Sequence, residues 1–363
     1  MDKQTVLFVT ATLTSGGSER VMSILANELS KKGHHVSIIC INKHIVFYPV
    51  SSDVNVVFAE DEIGGKSLLR KILWLRKYVK GVSPDVVIPF MEAVYCFTLL
   101  SLIGLPIPVI SSERIDPRKS PFFRNILRRI FLPLTTHLVV QTEAIKSFYP
   151  SFIRIKTSVI YNPVSDEVFR EMNNGKLTIE KEKKLNRIIS VGKLDEQKNQ
   201  QLLIKAFSRI SPFFPGLQLV IYGEGPLRED LELLVRSLKL ERKVFLPGRT
   251  EHVIDEMRKS KLFCFSSDYE GMSNALLEAI CVGLPVITTN VSGASELVQD
   301  GVNGFIVSIR DEEQMVNAMQ RLLSDENMMD QFSAVNKRKA SQFSIDKIVG
   351  QWETLICEVV KNN

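Results

Sequence analysis

Short, wholly apolar runs recur along the chain, each followed by a segment of helical periodicity, and the series stops near residue 163 and begins again at Arg187. Thr5–Thr10 is the first such run; after the turn Gly16-Gly17-Ser18, Glu19–Lys32 carries Val21, Leu25 and Leu29 on one stripe and ends at Gly33. Apolar runs at Val36–Ile41, Val54–Phe58, Asp85–Pro89, Pro108–Ser111, His137–Gln141 and Ser158–Tyr161 predict further strands, with helices over Leu68–Lys80 and Tyr95–Ile103. Strands without inside/outside alternation belong to parallel sheets covered on both faces. The pattern therefore predicts an α/β, Rossmann-like domain.

The second series repeats the scheme with strands at Arg187–Val191, Gln218–Tyr222, Val244–Leu246, Leu262–Ser266, Pro285–Thr288 and Phe305–Val307. Helices are expected at Asn199–Ile210, Leu227–Leu238, Val253–Arg258 and Ala275–Val282, then over about 311–342 and 344–361. A length of 363 residues suits two domains of somewhat under about 200 residues each. The polar stretch Asn173–Asn186 marks the boundary, giving domains at 1–165 and 186–343, and the helix 344–363 is expected to cross back to the first domain. Two Rossmann-like domains facing a ligand cleft are predicted, because open parallel sheets bind ligands at the carboxyl ends of their strands.

Several classes of function fall away. Neither half has G-x-G-x-x-G followed by an acid about 20 residues on, and G-x-x-x-x-G-K-[ST] is absent, so neither a dinucleotide nor a P-loop site is indicated. The five cysteines, Cys40, Cys96, Cys264, Cys281 and Cys357, stand singly among apolar neighbours and read as buried thiols. His34, His35, His44, His137 and His252 form no hydrolase-like motif and read as structural or surface residues. No apolar stretch reaches the roughly 18 residues of a spanning helix and no signal peptide is evident, so a cytoplasmic location is expected.

Charge is unevenly placed. Residues 1–160 hold 20 Lys/Arg against 12 Asp/Glu, and residues 161–363 hold 26 against 29, so the halves carry +8 and −3. Within the first half, Arg114, Arg118, Lys119, Arg124, Arg128 and Arg129 interleave with Phe122, Phe123, Ile126, Leu127, Ile130, Phe131 and Leu132. Segment 114–132 is thus either a basic amphipathic helix lying on an anionic membrane or a packed helix with a solvated basic face. Nucleic acid is disfavoured, since no RNP-like, zinc-finger or helix-turn-helix pattern is present.

The candidate site centres on Glu270-Gly271-Met272-Ser273-Asn274-Ala275-Leu276-Leu277-Glu278, two carboxylates flanking a loop that opens a helix. A carboxylate suits a pair of neighbouring hydroxyls, and a helix N-terminus suits an anion. Such an arrangement fits a nucleotide diphosphate bearing a sugar, although a mere acidic cap plus an exposed helical Glu has the same spacing. Lys193 and Lys198 lie in the loop Gly192–Asn199 after the first strand of the second half, and Gly223-Glu224-Gly225-Pro226 closes the next strand.

These motifs together resemble the retaining glycosyltransferases of family four, which have the two-domain architecture termed GT-B. The resemblance rests on Gly16-Gly17-Ser18-Glu19-Arg20, Tyr161-Asn162-Pro163-Val164, Val191-Gly192-Lys193-Leu194 with Gln197-Lys198-Asn199, Tyr222 to Pro226, and Glu270 to Glu278. It implies that Glu270 holds donor-sugar hydroxyls, that Glu278 holds the ribose, and that Gly271, Met272, Ser273 and Asn274 meet sugar and pyrophosphate. Lys193 and Lys198 match the basic pair that neutralises the leaving diphosphate, with Lys at 193 where most relatives carry Arg. Gly16, Gly17, Gly192, Gly223, Gly225 and Arg249 complete the implied donor contacts.

Glu113 and Arg114, in Ser111-Ser112-Glu113-Arg114, occupy the place of a Ser-Glu-His segment, so Arg114 stands where relatives often have a histidine. The resemblance also implies front-face attack without a metal or other cofactor, with UDP as the expected nucleotide. Its acceptor would be a glycan on undecaprenyl diphosphate, placing the protein peripherally at the inner face of the membrane. A UDP-N-acetylhexosamine 2-epimerase and a non-catalytic, partner-binding subunit are the alternatives.

Overall fold

The computed structural model describes residues 2–42, 46–64, 67–169 and 184–363. His44 and most of the polar stretch Asn173–Asn186 lie outside the described residues. The chain divides into two compact units, one of Met1–Pro163 with Ile345–Asn363 and one of Val164–Ser344.

The first unit contains β1 (Thr5–Thr10), β2 (His35–Cys40), β3 (Asn55–Phe58), β4 (Val86–Pro89), β5 (Ile110–Ser112), β6 (His137–Val140) and β7 (Thr157–Val159). The order is β3-β2-β1-β4 in one sheet and β5-β6-β7 in another, every pairing parallel, and single bridges Val87↔Val109 and Phe90↔Ser112 join β4 to β5. Along β1, Val6 and Phe8 enter one apolar cluster while Leu7 and Val9 enter another. Both faces are therefore covered, which is why the sequence shows a continuous apolar run rather than alternation.

The helix Gly17–Lys31 buries Val21, Met22, Leu25, Ala26 and Leu29 and ends where Gly33 adopts φ +93° while the N–H of His34 donates to the Leu29 carbonyl, 3.1 Å. The C-terminal helix Ile345–Lys361 belongs to this unit as well. Its buried stripe Ile345, Ile348, Val349, Trp352, Leu355, Ile356 and Val359 joins the Val6/Phe8 cluster, and Trp352 stacks on Phe90 with ring centroids 6.0 Å apart.

The second unit repeats the plan with β8 (Arg187–Val191), β9 (Gln218–Tyr222), β10 (Val244–Gly248), β11 (Leu262–Phe265), β12 (Val286–Thr289) and β13 (Gly304–Val307). Its order is β10-β9-β8-β11-β12-β13, again parallel throughout. In each unit the chain winds outward from its first strand and then resumes on that strand's other side. The two switch points, β1/β4 and β8/β11, are where a doubly wound sheet opens a crevice at its carboxyl edge.

Many element ends shift by one or two residues from expectation, and two elements differ further. The long segment 311–342 is broken into Glu312–Leu323 and Glu326–Lys339, because the Asp325 carboxylate caps the second helix by accepting from the Met328 N–H, 2.9 Å. The helix expected from Tyr95 begins at Glu92, straight after Met91 at φ +75°. The thiols of Cys40, Cys96, Cys264 and Cys281 are buried and Cys357 is partly so; burial pushes Cys40 and Cys96 up to about 12.

Candidate functional site

The loop after β8 and the loop after β11 lie on either side of the second unit's switch point. Lys198 from the first meets Glu270 from the second, Nζ donating to Oε1 in a direct ion pair. Both side chains are largely buried, and the Lys198 ammonium also lies 5.1 Å from the centre of the Phe265 ring. A carboxylate and an ammonium 72 residues apart in sequence are thus set at the carboxyl edge of the sheet. An acceptor of hydroxyl protons and a counter-charge for an anion stand side by side, as binding a glycosyl phosphate requires.

Lys193 is placed differently. Its side chain is 64% exposed and approaches Asp195 of its own loop, 3.6 Å, rather than joining Lys198 on Glu270. Of the two lysines in this loop, only Lys198 is paired with Glu270.

Around this pair the neighbouring strand ends are laced backbone to backbone. The N–H of Gly192 donates to the Tyr222 carbonyl, 3.0 Å, that of Leu194 to Glu224, 3.0 Å, and that of Gly223 to Gly248, 2.9 Å. Gly223 and Gly225 are glycines of necessity, since an added Cβ would stand 1.9 Å from the Gly192 carbonyl oxygen and 2.2 Å from that of Leu194. Arg249 follows Gly248 as an exposed residue.

Gly271, Met272 and Ser273 are buried, and the Ser273 hydroxyl caps the helix Asn274–Cys281 by accepting from the Leu276 N–H, 3.4 Å. Glu278 is on that helix and 4% exposed, so it is a buried residue rather than the exposed helical Glu of the bland sequence reading.

In the first unit, Gly16 precedes the helix Gly17–Lys31, and the carboxylate of Glu19 folds back over it, accepting from Ser18 Oγ, 2.5 Å, and Thr12 Oγ1, 3.2 Å. An anion drawn to this N-terminus competes with an acid already present. Arg114 is buried at the end of β5, its guanidinium 4.2 Å above the Phe90 ring and its Nη1 donating to Asn162 Oδ1, 2.9 Å. Gln141 Nε2 donates to the same oxygen, 2.8 Å, while Nε and Nη2 of Arg114 have no hydrogen-bond partner among the described residues. Burial draws Arg114 down to about 9, against the pull of Glu113, so it stays charged at neutral pH.

Glu113 lies in the interior of the first unit. Its carboxylate is 1% exposed, and Oε2 accepts from Arg128 Nε, 2.8 Å, Tyr95 Oη, 3.0 Å, and Tyr149 Oη, 3.1 Å. Burial pulls the Arg128 guanidinium down, yet this pairing outweighs it and leaves Arg128 above its ordinary value. Glu113 is thus held in an interior network with Arg128, Tyr95 and Tyr149.

The basic segment 114–132 divides between the interior and the surface. Arg114 and Arg128 are interior, and Arg118 is taken up by Asp116, 3.2 Å, and by the Ala144 carbonyl. The helix itself, Phe122–Phe131, turns apolar groups outward: Phe122 is 79%, Phe123 59%, Ile126 40% and Ile130 57% exposed. Leu68, Leu69 and Leu73 of the helix Leu68–Val82, and Leu100 and Ile103 at the end of the helix Glu92–Leu102, are exposed too. Arg76 fastens the first of these helices to the second through the carbonyls of Ser101, 3.1 Å, and Ile103, 2.8 Å.

Other residues carry polar chemistry that no sequence pattern signalled. Glu92, at the first unit's switch point, is 5% exposed, its oxygens lack a hydrogen bond among the described residues, and burial raises its carboxyl above the usual range. His34 is buried between Gln4 N–H, 3.1 Å, and Glu353, 3.3 Å; His137 meets Ser158 Oγ, 2.9 Å; His35 and His252 are exposed.

Residues 15–168 match the family model Glycosyltransferase Family 4, and residues 174–339 match Glycosyl transferases group 1. The chain is 32% identical, over 98% of both sequences, to GalNAc-α-(1→4)-GalNAc-α-(1→3)-diNAcBac-PP-undecaprenol α-1,4-N-acetyl-D-galactosaminyltransferase of Campylobacter jejuni. Its fold matches a glycosyltransferase from Rickettsia africae with a TM-score of 0.82 at 19% identity, covering 100% of each chain. HepE from Anabaena, solved with UDP and glucose, matches with a TM-score of 0.77 at 17% identity, over 98% of this chain and 100% of the other. A full-length relationship of this strength, carried on two doubly wound units, means that the chain belongs to glycosyltransferase family four and has the GT-B fold.

Proposed function

We propose that this glycosyltransferase moves a hexose or N-acetylhexosamine, with retention of configuration, from a UDP-sugar to a glycan carried on undecaprenyl diphosphate. The observation that carries the reading is the Lys198–Glu270 pair at the β8/β11 switch point. When a donor binds, Lys198 turns to the diphosphate and Glu270 to hydroxyls of the sugar, while Glu278 takes the ribose. Negative charge building on the leaving phosphate is met by the fixed ammonium and by the helix N-terminus behind Ser273. That phosphate then takes the acceptor's proton as the new bond forms on the same face, so neither a general base nor a divalent cation is needed.

The Campylobacter jejuni relative, named for an undecaprenyl-diphosphate-linked substrate, supports the acceptor class and an N-acetylhexosamine; the Anabaena complex supports UDP. Arg114, whose Nε and Nη2 are unengaged among the described residues, is assigned to an oxygen of the bound substrates. A panel of nucleotide sugars, screened by thermal shift and then by nucleotide release with an undecaprenyl-diphosphate-linked N-acetylhexosamine acceptor, tests this. Glu270→Ala is expected to lower chiefly kcat and Glu278→Ala chiefly to weaken nucleotide binding, each loss being about 1.5–3 kcal/mol. Wild-type kinetics for both variants, or turnover of a UDP-sugar without acceptor as in a 2-epimerase, would defeat the proposal.

We further propose a peripheral position at the cytoplasmic face of the membrane. The outward Phe122, Phe123, Ile126 and Ile130, with the exposed Arg124, Lys119 and Arg129 about them, suit an anionic bilayer. No described helix is long and apolar enough to cross one. Sedimentation with liposomes of phosphatidylglycerol should exceed that with phosphatidylcholine alone and fall for Phe123→Glu; equal, negligible binding to both removes the membrane contact.

A further inference from the structure

Two residues of the unit Val164–Ser344 adopt left-handed backbone angles without being glycine and direct their side chains to one carboxylate. Asn199, at φ +45°, donates from Nδ2 to Asp268 Oδ1, 3.0 Å. Arg310, at φ +63°, donates from Nε and Nη2 to Asp268 Oδ2, 2.8 and 2.6 Å. Such angles are uncommon outside glycine, and for a long side chain like Arg they persist only where the surroundings enforce them.

Asp268 lies two residues before Glu270, and Asn199 directly follows Lys198. The N–H of Asp268 donates to the Gln197 carbonyl, 2.8 Å, Gln197 Nε2 to the Tyr269 carbonyl, 2.8 Å, and Ser266 Oγ to the Lys198 carbonyl, 2.9 Å. The main chains beneath Lys198 and Glu270 are thereby tied to each other independently of the ion pair between those two side chains.

We infer that Asp268, braced by Arg310, is a positioning residue that holds Lys198 and Glu270 in place during turnover; this rests on the donor-binding role proposed for that pair. Once diphosphate occupies Lys198 and a sugar hydroxyl occupies Glu270, their mutual ion pair no longer couples the two loops. The Asn199–Asp268–Arg310 bridge uses neither Lys198 Nζ nor the Glu270 carboxylate, so it does not depend on their ion pair. A rigid support of this kind keeps the reacting groups at productive separation, where a displacement of about 1 Å lowers rate by about 100-fold.

Arg310→Gly separates this role from a structural one. Glycine accepts φ +63° without strain, and an ion pair whose arginine side chain is 75% exposed contributes little to folding, so the melting temperature should stay within about 2 °C of wild type or rise. Turnover should nevertheless fall, with kcat/KM lowered roughly 10-fold, mainly through kcat, and partly regained in Arg310→Lys. Asp268→Ala should lose roughly 10- to 100-fold, and adding Arg310→Gly to it should cost nothing more, since both act through one contact.

The donor is the nucleotide sugar selected by the panel above, and Lys198→Ala and Glu270→Ala are the controls. Full activity of Arg310→Gly and Asp268→Ala beside inactive controls overturns the inference alone, as does a fully additive double variant. A melting temperature more than about 5 °C lower in Arg310→Gly also overturns it, since the bridge would then be a folding element. Active controls would instead refute the donor-binding assignment on which it stands.

Discussion

Glu113→Ala removes the carboxylate oxygen on which Arg128, Tyr95 and Tyr149 converge, all inside the first unit. The Arg128 side chain is 3% exposed and would lose its paired carboxylate, a loss of about 3–5 kcal/mol. For a unit of this size each kcal/mol moves the melting temperature by roughly 2–4 °C, so a decrease of about 6–20 °C is expected by calorimetry. Glu113→Leu combined with Arg128→Met removes both charges and should recover most of that decrease, since an apolar replacement of a buried pair is often neutral. Donor KM in the soluble fraction of the double variant should remain near wild type. A Glu113→Ala protein that melts within about 2 °C of wild type and yet has lost turnover would refute the interior-network assignment and return Glu113 to the substrate.

Burial, with Lys156 and Lys146 adding to it, holds the His137 imidazole down at about 4, below its unfolded value. The unfolded chain then binds the extra proton first, so stability should be complete above about pH 6.5 and decline as pH falls towards 4; His137→Gln should flatten that decline in melting curves recorded across the window. Gly225→Ala places a Cβ 2.2 Å from the Leu194 carbonyl oxygen and should cost about 1–3 kcal/mol in urea unfolding, while Gly301→Ala, with open space but φ +71°, tests the backbone effect alone. Metal chelation by EDTA should leave the transfer rate unchanged if Lys198 and the helix N-terminus behind Ser273 meet the leaving diphosphate without a cation, and a chelation-sensitive, Mg²⁺-restored rate would contradict that role.

Legibility in the sequence followed the range of the interaction. Strands buried on both faces announce themselves through uninterrupted apolar runs, and the helix Gly17–Lys31 through its stripe and its terminal Gly33, because these patterns are set within a few residues. The break at Asp325 was hidden because one capping carboxylate, not a change in hydrophobic period, ends one helix and starts the next. The surroundings of Glu113 were hidden for a related reason: a motif position tells which strand end a residue occupies, but not whether its carboxylate turns to solvent or to Arg128. For segment 114–132 the sequence left a membrane-lying and a core-packed helix open, and only folding shows that its helix turns several apolar groups outward and takes Arg128 inside.

From the chain alone came the two α/β halves, the restart at Arg187, Glu270, Lys193 and Lys198 as residues of strand-end loops, and Glu278 on the helix that follows, since local periodicity and turn chemistry determine those. Which of them meet was decided only by folding. Parallel winding brings the loop after β8 beside the loop after β11, so that Lys198 reaches Glu270 across 72 residues while Lys193 faces solvent. The same winding brings Asn199 and Arg310 onto Asp268, two strained residues separated by 111 positions with no shared motif. Contacts of that kind depend on strand order and backbone angle, quantities that a linear pattern of residue types does not carry.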